Sequence, residues 1–294
     1  MINTIIFNFI ICAITLGFSP ASHAQENDSL RIMSFNIRLD TPDDGLNQWK
    51  YRKDELCTEV RKNNPHVLGV QEALNNQMVD LRGCLKGYKS IGVARDDGKK
   101  QGEYSALFYK KKALRALRSG TFWLSETPDV PGSRGWDAAC NRVVTWAEFK
   151  DRRTGNKFLA FNTHFDHIGD TARVESAQLI IRKVAELADD LPLVLMGDFN
   201  ITSKHRAYRI LTYPENEVVL TDSRLKAKNR SGPEHTWVTF NSDFEASDII
   251  DFIFTSLEVE VLEHKIIDFR ESGRPLSDHL PVVTVIKLKD SKIE

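Results

Sequence analysis

The chain has 294 residues, of which 41% are hydrophobic and 28% are charged, and its formal net charge is −1. This length is enough for one large hydrophobic core or two small ones. A protein that binds nucleic acid through its phosphates usually carries an excess of basic residues. The neutral balance therefore argues against a dedicated DNA-binding protein and favours a small or partly neutral substrate over nucleic acid.

The N-terminal segment 1–24 has the features of a secretory signal peptide. It contains no Lys, Arg, Asp or Glu, and an apolar block from Ile5 to Phe18 precedes the small-residue site Ser22-His23-Ala24. That block is short for a membrane span. The lack of a basic residue near the N-terminus leaves an uncleaved anchor as the alternative. We expect a mature protein that is secreted or periplasmic, with no stable membrane insertion after cleavage and no obligate protein partner.

Three cysteines remain after the predicted cleavage site: Cys57, Cys84 and Cys140. An odd number excludes complete pairing, and their spacing is not that of a metal site. Cys57 and Cys84 lie in two neighbouring amphipathic segments, so a disulfide between them is compatible with export. Two buried free thiols are the alternative, and the sequence leaves both open.

The apolar pattern predicts the elements in chain order. Strands are predicted at 32–37, 67–70, 105–109, 114–124, 143–149, 157–165, 193–196, 249–254 and 282–288, and helices at 52–62, 76–85 and 172–188. In the last helix apolar residues recur every three or four positions, and Asp170 or Thr171 can cap it. No linker divides the chain. We therefore predict one domain over residues 29–290, with two sheets packed face to face and helices outside.

Polar residues occur at or near the ends of six of these apolar runs. They are Asn36, Glu72, His164, Asp198, Asn200, Asp251, Asp278 and His279. Taken singly, each has an ordinary explanation: Asn36 could cap a turn, Glu72 could open a helix, and Asp198 with Asn200 could form a turn. Strand ends hold polar groups rigidly, however, and six of them with only Asn, Asp, Glu and His favour an active site.

The chemistry of these groups indicates a hard divalent cation. Glu72 and Asp278 offer carboxylate oxygens and Asn36 offers a carbonyl oxygen, which suits Mg²⁺ or Mn²⁺ better than zinc. Asp198 and Asn200, two residues apart, can orient a water molecule or a phosphoryl group.

Two histidines complete the predicted catalytic set. His279 adjoins Asp278, and Asp251 could hold its ring in one tautomer. His164 could donate to a phosphate oxygen, although an isolated histidine is more often structural. Together the groups supply what the transfer of a phosphoryl group to water requires.

The same residues carry a family resemblance. Asn36, Gln71-Glu72, Thr163-His164, Gly197-Asp198-Phe199-Asn200, Asp251 and Ser277-Asp278-His279 occur in the order and approximate spacing of the endonuclease/exonuclease/phosphatase superfamily. The resemblance runs from about Ser29 to Leu288, and Phe122 to Pro128 resembles a segment of its secreted bacterial branch.

The resemblance implies a DNase-I-like, four-layer αββα sandwich of two mostly antiparallel sheets with outer helices. It also implies a divalent-metal phosphoesterase in which Asn36, Glu72 and Asp278 bind Mg²⁺ or Mn²⁺. Asp198, Asn200, His279, Asp251 and His164 would then be catalytic. By looser matches, the substrate would be contacted by Tyr104, Arg142 and His167. Apart from the resemblance, Trp237, which follows His235-Thr236, could stack on a base or sugar face. For the last three, a purely structural role is the alternative.

The function that follows is an exported, Mg²⁺-dependent phosphoester hydrolase, either a phosphomonoesterase or a phosphodiesterase of small substrates. The alternative is a secreted endonuclease on the same scaffold. A non-catalytic binding protein with a relic site is the third reading, but a relic is expected to lose ligands and none is missing here.

Overall fold

The structure is a computed structural model that describes residues 28–240, 245–246, 248–269 and 275–289. The predicted signal peptide, residues 1–24, lies outside the described residues. Within those described ranges, every helix is too short or too polar to cross a bilayer.

Thirteen strands are found in the described part of the chain and are numbered in chain order. They are β1 (Leu30–Asn36), β2 (Val67–Ala73), β3 (Tyr88–Ile91), β4 (Tyr104–Lys110), β5 (Leu114–Trp123), β6 (Val143–Asp151), β7 (Lys157–His164), β8 (Leu193–Asp198), β9 (Leu220–Asp222), β10 (Asn229–Ser231), β11 (Asp251–Ser256), β12 (Val259–Ile266) and β13 (Val282–Leu288). The helices are α1 (Trp49–Asn63), α2 (Asn75–Cys84), α3 (Asp170–Ala188), α4 (Arg206–Leu211) and α5 (Ser223–Lys226), and a 3₁₀ helix spans Pro42–Asn47.

The strands form two sheets among the described residues. The seven-stranded sheet has the order β10-β12-β13-β1-β2-β4-β3, and the six-stranded sheet has the order β5-β6-β7-β8-β11-β9. Most neighbouring strands are antiparallel, and the parallel pairs are β1 with β2, β7 with β8, and β10 with β12.

Three layers of buried apolar residues define the stacking. One layer, with Ile32, Phe149 and Met196, joins the facing sides of the two sheets. A second packs α3 and α4 on the six-stranded sheet, and a third packs α1 and α2 on the seven-stranded sheet. The predicted four-layer αββα sandwich of mostly antiparallel sheets is thereby confirmed.

The ends of two helices are fixed by residues distant in sequence. Helix α3 begins at Asp170, and the predicted caps Asp170 and Thr171 do not cap it; Asp137 instead accepts hydrogen bonds from the N–H groups of Thr171 and Ala172. Cys57 in α1 and Cys84 at the end of α2 form a disulfide. Of the two alternatives that the sequence left open, the structure has the bridge, which ties together the two helices behind the seven-stranded sheet.

Candidate active site

The strand register brings the polar strand ends of both sheets together. On the six-stranded sheet, Asp198 at the end of β8 lies beside His164 of β7 on one side and Asp251 of β11 on the other. On the seven-stranded sheet, Asn36 at the end of β1 lies beside Gln71 of β2. Because the two sheets face each other, the residues from distant parts of the chain converge at one edge of the sandwich.

Three non-glycine residues at this edge have a strained backbone. Arg38, Glu72 and Asn200 all have positive φ angles, of 57°, 63° and 48°. Such conformations are uncommon outside glycine and cluster at functional sites. Gly197 also has a positive φ, and a Cβ there would lie 2.1 Å from the carbonyl oxygen of Thr163. Glycine therefore permits β7 and β8 to bring His164 and Asp198 together.

A single amide joins the two sheets at the floor of the site. Nδ2 of Asn36 donates to Oε1 of Glu72 and to Oδ2 of Asp198, each at 2.9 Å. Its carbonyl oxygen accepts from the backbone N–H of Arg38 at 3.0 Å. The amide thus presents its donor to the carboxylates, whereas the predicted role of Asn36 as a metal ligand requires its oxygen there.

Three side chains have the mutual distances of a metal site. One ligand atom each of Glu72, Asp198 and His279 lies within 4.8 Å of the other two. Asp278 stands beside this group, because Nη1 of Arg38 lies 3.8 Å from Oδ2 of Asp278 and 4.0 Å from Oε2 of Glu72. The carboxylates of this group are hard oxygen donors, and such donors fit Mg²⁺ or Mn²⁺.

His279 and Asp251 form a buried pair. Nδ1 of His279 lies 2.9 Å from Oδ2 of Asp251, and both side chains are almost fully buried. Burial alone would lower the pKa of His279, but Asp251 and Asp198 oppose it and hold that pKa well above its ordinary value. The imidazole therefore favours the protonated form, with Nε2 lying 3.7 Å from Asp198.

The environment of Asp198, in contrast to that of His279, favours the uncharged form of the side chain. Burial, together with the charge of Asp251, raises the pKa of Asp198 to about 7, against the lowering influence of His279 and the Asn36 amide. A carboxyl group poised near neutral pH can accept a proton from a water molecule. By contrast, Glu72 remains ionised: burial opposes ionisation, but His279, the Asn36 amide and the N–H of Leu39 lower the pKa of Glu72.

His164 is held by Asn200. Nδ2 of Asn200 lies 3.0 Å from Nε2 of His164 and donates to the carbonyl oxygen of Phe165 at 3.1 Å. Burial, followed by the charges of Arg142 and Arg95, holds the pKa of His164 well below its ordinary value. The ring is therefore neutral. All five residues predicted to be catalytic thus lie at this site.

The site opens into a cleft of about 590 Å³. Arg142, His167 and Trp237, which were predicted to contact substrate, all line it. Tyr104 does not line this cleft; its side chain is buried, and its hydroxyl donates to the carbonyl oxygen of Lys99 at 2.8 Å. The structure therefore does not bring Tyr104 together with the other residues that were predicted to contact substrate.

Seven residues that line the cleft were not predicted from the sequence, and Arg38, Arg95 and Glu103 are three charged ones among them. Arg38 is held by Asp44, which accepts from its Nε and Nη2 at 3.1 and 3.0 Å. Arg95 and Glu103 form an ion pair of 2.7 Å. Arg38, two residues beyond Asn36, could have been suspected from that proximity, but Arg95 and Glu103 lie in a segment without apolar periodicity.

A fully buried arginine supports the site from behind. Arg52 of α1 donates to four carbonyl oxygens, those of Ile37, Arg38, Asn47 and Leu276. Burial lowers the pKa of Arg52 to about 10. Its contacts join the backbone after Asn36 to the backbone before Asp278, which fixes the two segments relative to each other.

Comparison with known proteins agrees with this geometry. Residues 33–279 match the model of the Endonuclease/Exonuclease/phosphatase family. The chain belongs to this family. Its members are generally phosphoester hydrolases that depend on a divalent metal ion, so the predicted resemblance is confirmed.

Solved structures of bacterial relatives cover nearly all of the domain. An endonuclease/exonuclease/phosphatase from Bacteroides vulgatus is 45% identical, covers 89% of this chain and 99% of that one, and has a TM-score of 0.85. A mannosyl-6-phosphatase from Bacteroides thetaiotaomicron is 38% identical, with coverages of 87% and 99% and a TM-score of 0.82. Among proteins compared by sequence, Nocturnin of Drosophila melanogaster is 26% identical to this chain. The matched region covers 60% of this chain and 29% of Nocturnin.

Proposed function

We propose that the chain is an exported, Mg²⁺-dependent phosphoester hydrolase, a phosphomonoesterase or a phosphodiesterase of small substrates. The observation that carries this proposal is the buried array Asp251–His279–Asp198 beside Glu72, at the floor of an open cleft. Such an array joins a proton acceptor, a proton donor and a carboxylate cluster suited to a divalent cation.

The residues divide the chemical work among them. Asp198 holds the attacking water and accepts its proton, which its raised pKa permits. His279, protonated and oriented by Asp251, donates to a phosphate oxygen and stabilises the charge that develops there. Asn200 fixes the position of His164 at the end of the six-stranded sheet.

A divalent ion would be held by Glu72 and Asp278, with the carboxylate of Asp198 beside it. Mg²⁺, or Mn²⁺ in its place, supplies Lewis-acid stabilisation of the phosphate charge when it is bound. Asn36 orients two of these carboxylates through its amide.

Several observations support a small substrate and export. The formal net charge is only −1, and a cleft of about 590 Å³ is within the range of small-molecule sites. The relative named a mannosyl-6-phosphatase supports a phosphomonoester. The Cys57–Cys84 disulfide supports an oxidising compartment, as does the leader-like segment 1–24.

The test is a screen of phosphoesters with the purified protein from residue 25 onward. We expect phosphate release from a phosphomonoester that requires Mg²⁺ or Mn²⁺ and is abolished in Asp198→Ala and His279→Ala. Nicking of plasmid DNA without turnover of small phosphoesters would instead identify an endonuclease. Absence of turnover on every substrate, with either metal, would leave the non-catalytic binding protein.

A further inference from the structure

One wall of the cleft is organised around a carboxylate that the proposed chemistry does not use. Oε2 of Glu103 lies 2.7 Å from Nη1 of Arg95, 3.8 Å from Nδ1 of His164 and 4.0 Å from Nη1 of Arg142. The first distance is a hydrogen bond, whereas the other two are just too long for one.

Within the part of the chain that the structure describes, the two distant nitrogens have no hydrogen-bond partner. Nδ1 of His164 and Nη1 of Arg142 are both buried and unpaired among the described residues, and each residue is only 5% exposed overall. Buried polar atoms nearly always have a partner. Because both residues line the cleft, a polar group that enters the cleft can supply the partner.

The neighbouring hydrogen bonds fix which ring nitrogen of His164 carries the proton. Nδ2 of Asn200 donates to the carbonyl oxygen of Phe165, so the amide nitrogen and not the oxygen faces His164. Nε2 of His164 lies 3.0 Å from this amide nitrogen and 3.4 Å from Oδ2 of Asp198. It therefore accepts from the nearer Asn200, and the ring proton lies on Nδ1. The wall thus presents two N–H donors, from His164 and Arg142, and one acceptor, from Glu103.

Only some chemical groups match two donors and one acceptor. A hydroxyl group accepts two hydrogen bonds and donates one, so it can satisfy all three atoms. A phosphate oxygen has no proton for the carboxylate and is repelled by it, and an ammonium group cannot accept from the two N–H groups. We propose that Glu103, Arg142 and His164 form a subsite for a hydroxyl group of the substrate.

This proposal deepens the proposed phosphoester hydrolysis and rests on it. The subsite shares the cleft with the catalytic residues and with Trp237, whose side chain is 40% exposed. An exposed aromatic face suits the apolar face of a ring. The substrate class that fits is therefore a phosphorylated ring compound rich in hydroxyl groups, of the sugar type.

The test compares a hexose 6-phosphate with phenyl phosphate, which lacks hydroxyl groups. In Glu103→Gln, we expect the ratio of kcat/KM for the hexose phosphate to kcat/KM for phenyl phosphate to fall about 10- to 100-fold, as for the loss of a charge-assisted hydrogen bond. Glu186→Gln, the same change on the exposed face of α3, should leave the ratio at the wild-type value. An equal loss for both substrates would overturn the proposal, because Glu103 would then act only by positioning His164 and Arg142.

A series of deoxyhexose 6-phosphates makes the test sharper. The wild-type protein should lose a similar factor on one deoxy analogue, and Glu103→Gln should not distinguish that analogue from its parent. If no analogue is discriminated by the wild type, the subsite does not exist.

Failure of the proposed function is separable from failure of the subsite. If the wild type hydrolyses nothing, the subsite can still be tested by calorimetry. Binding of the hexose 6-phosphate and of phenyl phosphate is then measured without turnover. Selective weakening of the hexose phosphate in Glu103→Gln supports the subsite, and equal affinities in wild type and variant overturn it.

Discussion

Asp251→Asn perturbs the proposed mechanism at its most informative contact. The substitution keeps the shape of the side chain but removes the charge that lies 2.9 Å from Nδ1 of His279. Two unit charges about 4 Å apart interact by about 4 kcal/mol at an effective dielectric constant of 20. An energy of this size corresponds to about a thousandfold in rate. Because an asparagine oxygen can still accept the Nδ1–H hydrogen bond, we expect kcat to fall about 10²- to 10³-fold.

The pH dependence has a defined sign. Against the effect of burial, Asp251 and Asp198 hold the pKa of His279 above its ordinary value. The stability gained from the protonated pair is complete below the ordinary histidine pKa and is lost as the pH rises through the folded-state value. Asp251→Asn lowers that value, so the alkaline limb of the rate profile should move to lower pH, and the stability difference from wild type should be largest in acid.

The assay is phosphate release at saturating Mg²⁺ across the pH range, with urea unfolding at each end of it. Asp222→Asn is the matched control, since Asp222 is a buried aspartate on β9, beside β11 but away from the cleft. It should lose stability and keep the wild-type pH profile. Activity of Asp251→Asn within tenfold of wild type at every pH, or an unmoved alkaline limb, would refute the reasoning.

Three further predictions concern the disulfide, the buried arginine behind the site and the exposed tryptophan of the cleft. Replacing Cys57 and Cys84 by serine removes a bridge across 27 residues. By the loop-entropy relation, the free energy of unfolding should fall by about 3.5 kcal/mol. Turnover at about 25 °C should stay near the wild-type value. An unchanged urea midpoint would contradict this. Arg52→Met should lower the free energy of unfolding by about 3 kcal/mol or more, because four carbonyl oxygens, two of them in buried hydrogen bonds, lose a charged donor. Calorimetry should also show weaker Mg²⁺ binding, and wild-type metal affinity would contradict the role of Arg52 in joining the two segments. Trp237→Ala should raise KM for ring-bearing phosphoesters about tenfold, as expected for the loss of stacking, and thermal stability should be retained. A fall in kcat at constant KM would argue against a stacking role.

Much of the catalytic set could be predicted from the sequence because it is tied to local pattern. Asp198, Asp251 and His164 lie at the ends of or within apolar runs that form central strands, and neighbouring strands place such ends side by side. The helix α3 was predicted to within two residues at its start for the same reason. The local apolar pattern was sufficient to predict the position of a residue wherever a single strand or helix determines that position.

The remainder depends on tertiary contacts that no local pattern encodes. Glu103 lies just before β4, and Arg95 lies in the connection between β3 and β4. The partners of both residues are set by the packing of other elements. The strand β12 (Val259–Ile266) was missed because charged residues interrupt its apolar pattern; its outward positions are exposed or half-buried. The amide orientation of Asn36 follows from its hydrogen bonds to Glu72 and Asp198, which belong to different strands.

The most direct test of the account is metal-dependent phosphate release together with Mg²⁺ or Mn²⁺ binding, measured on wild type and on Glu72→Gln. We expect the wild type to bind the metal and to lose activity in a chelator. In Glu72→Gln, affinity should fall about 100-fold or more, since even residues behind metal ligands contribute about 10- to 100-fold, and turnover should fall with it. Undiminished phosphate release by the wild type in the chelator, or wild-type metal affinity and turnover in Glu72→Gln, would contradict the assignment of this cluster as the catalytic centre.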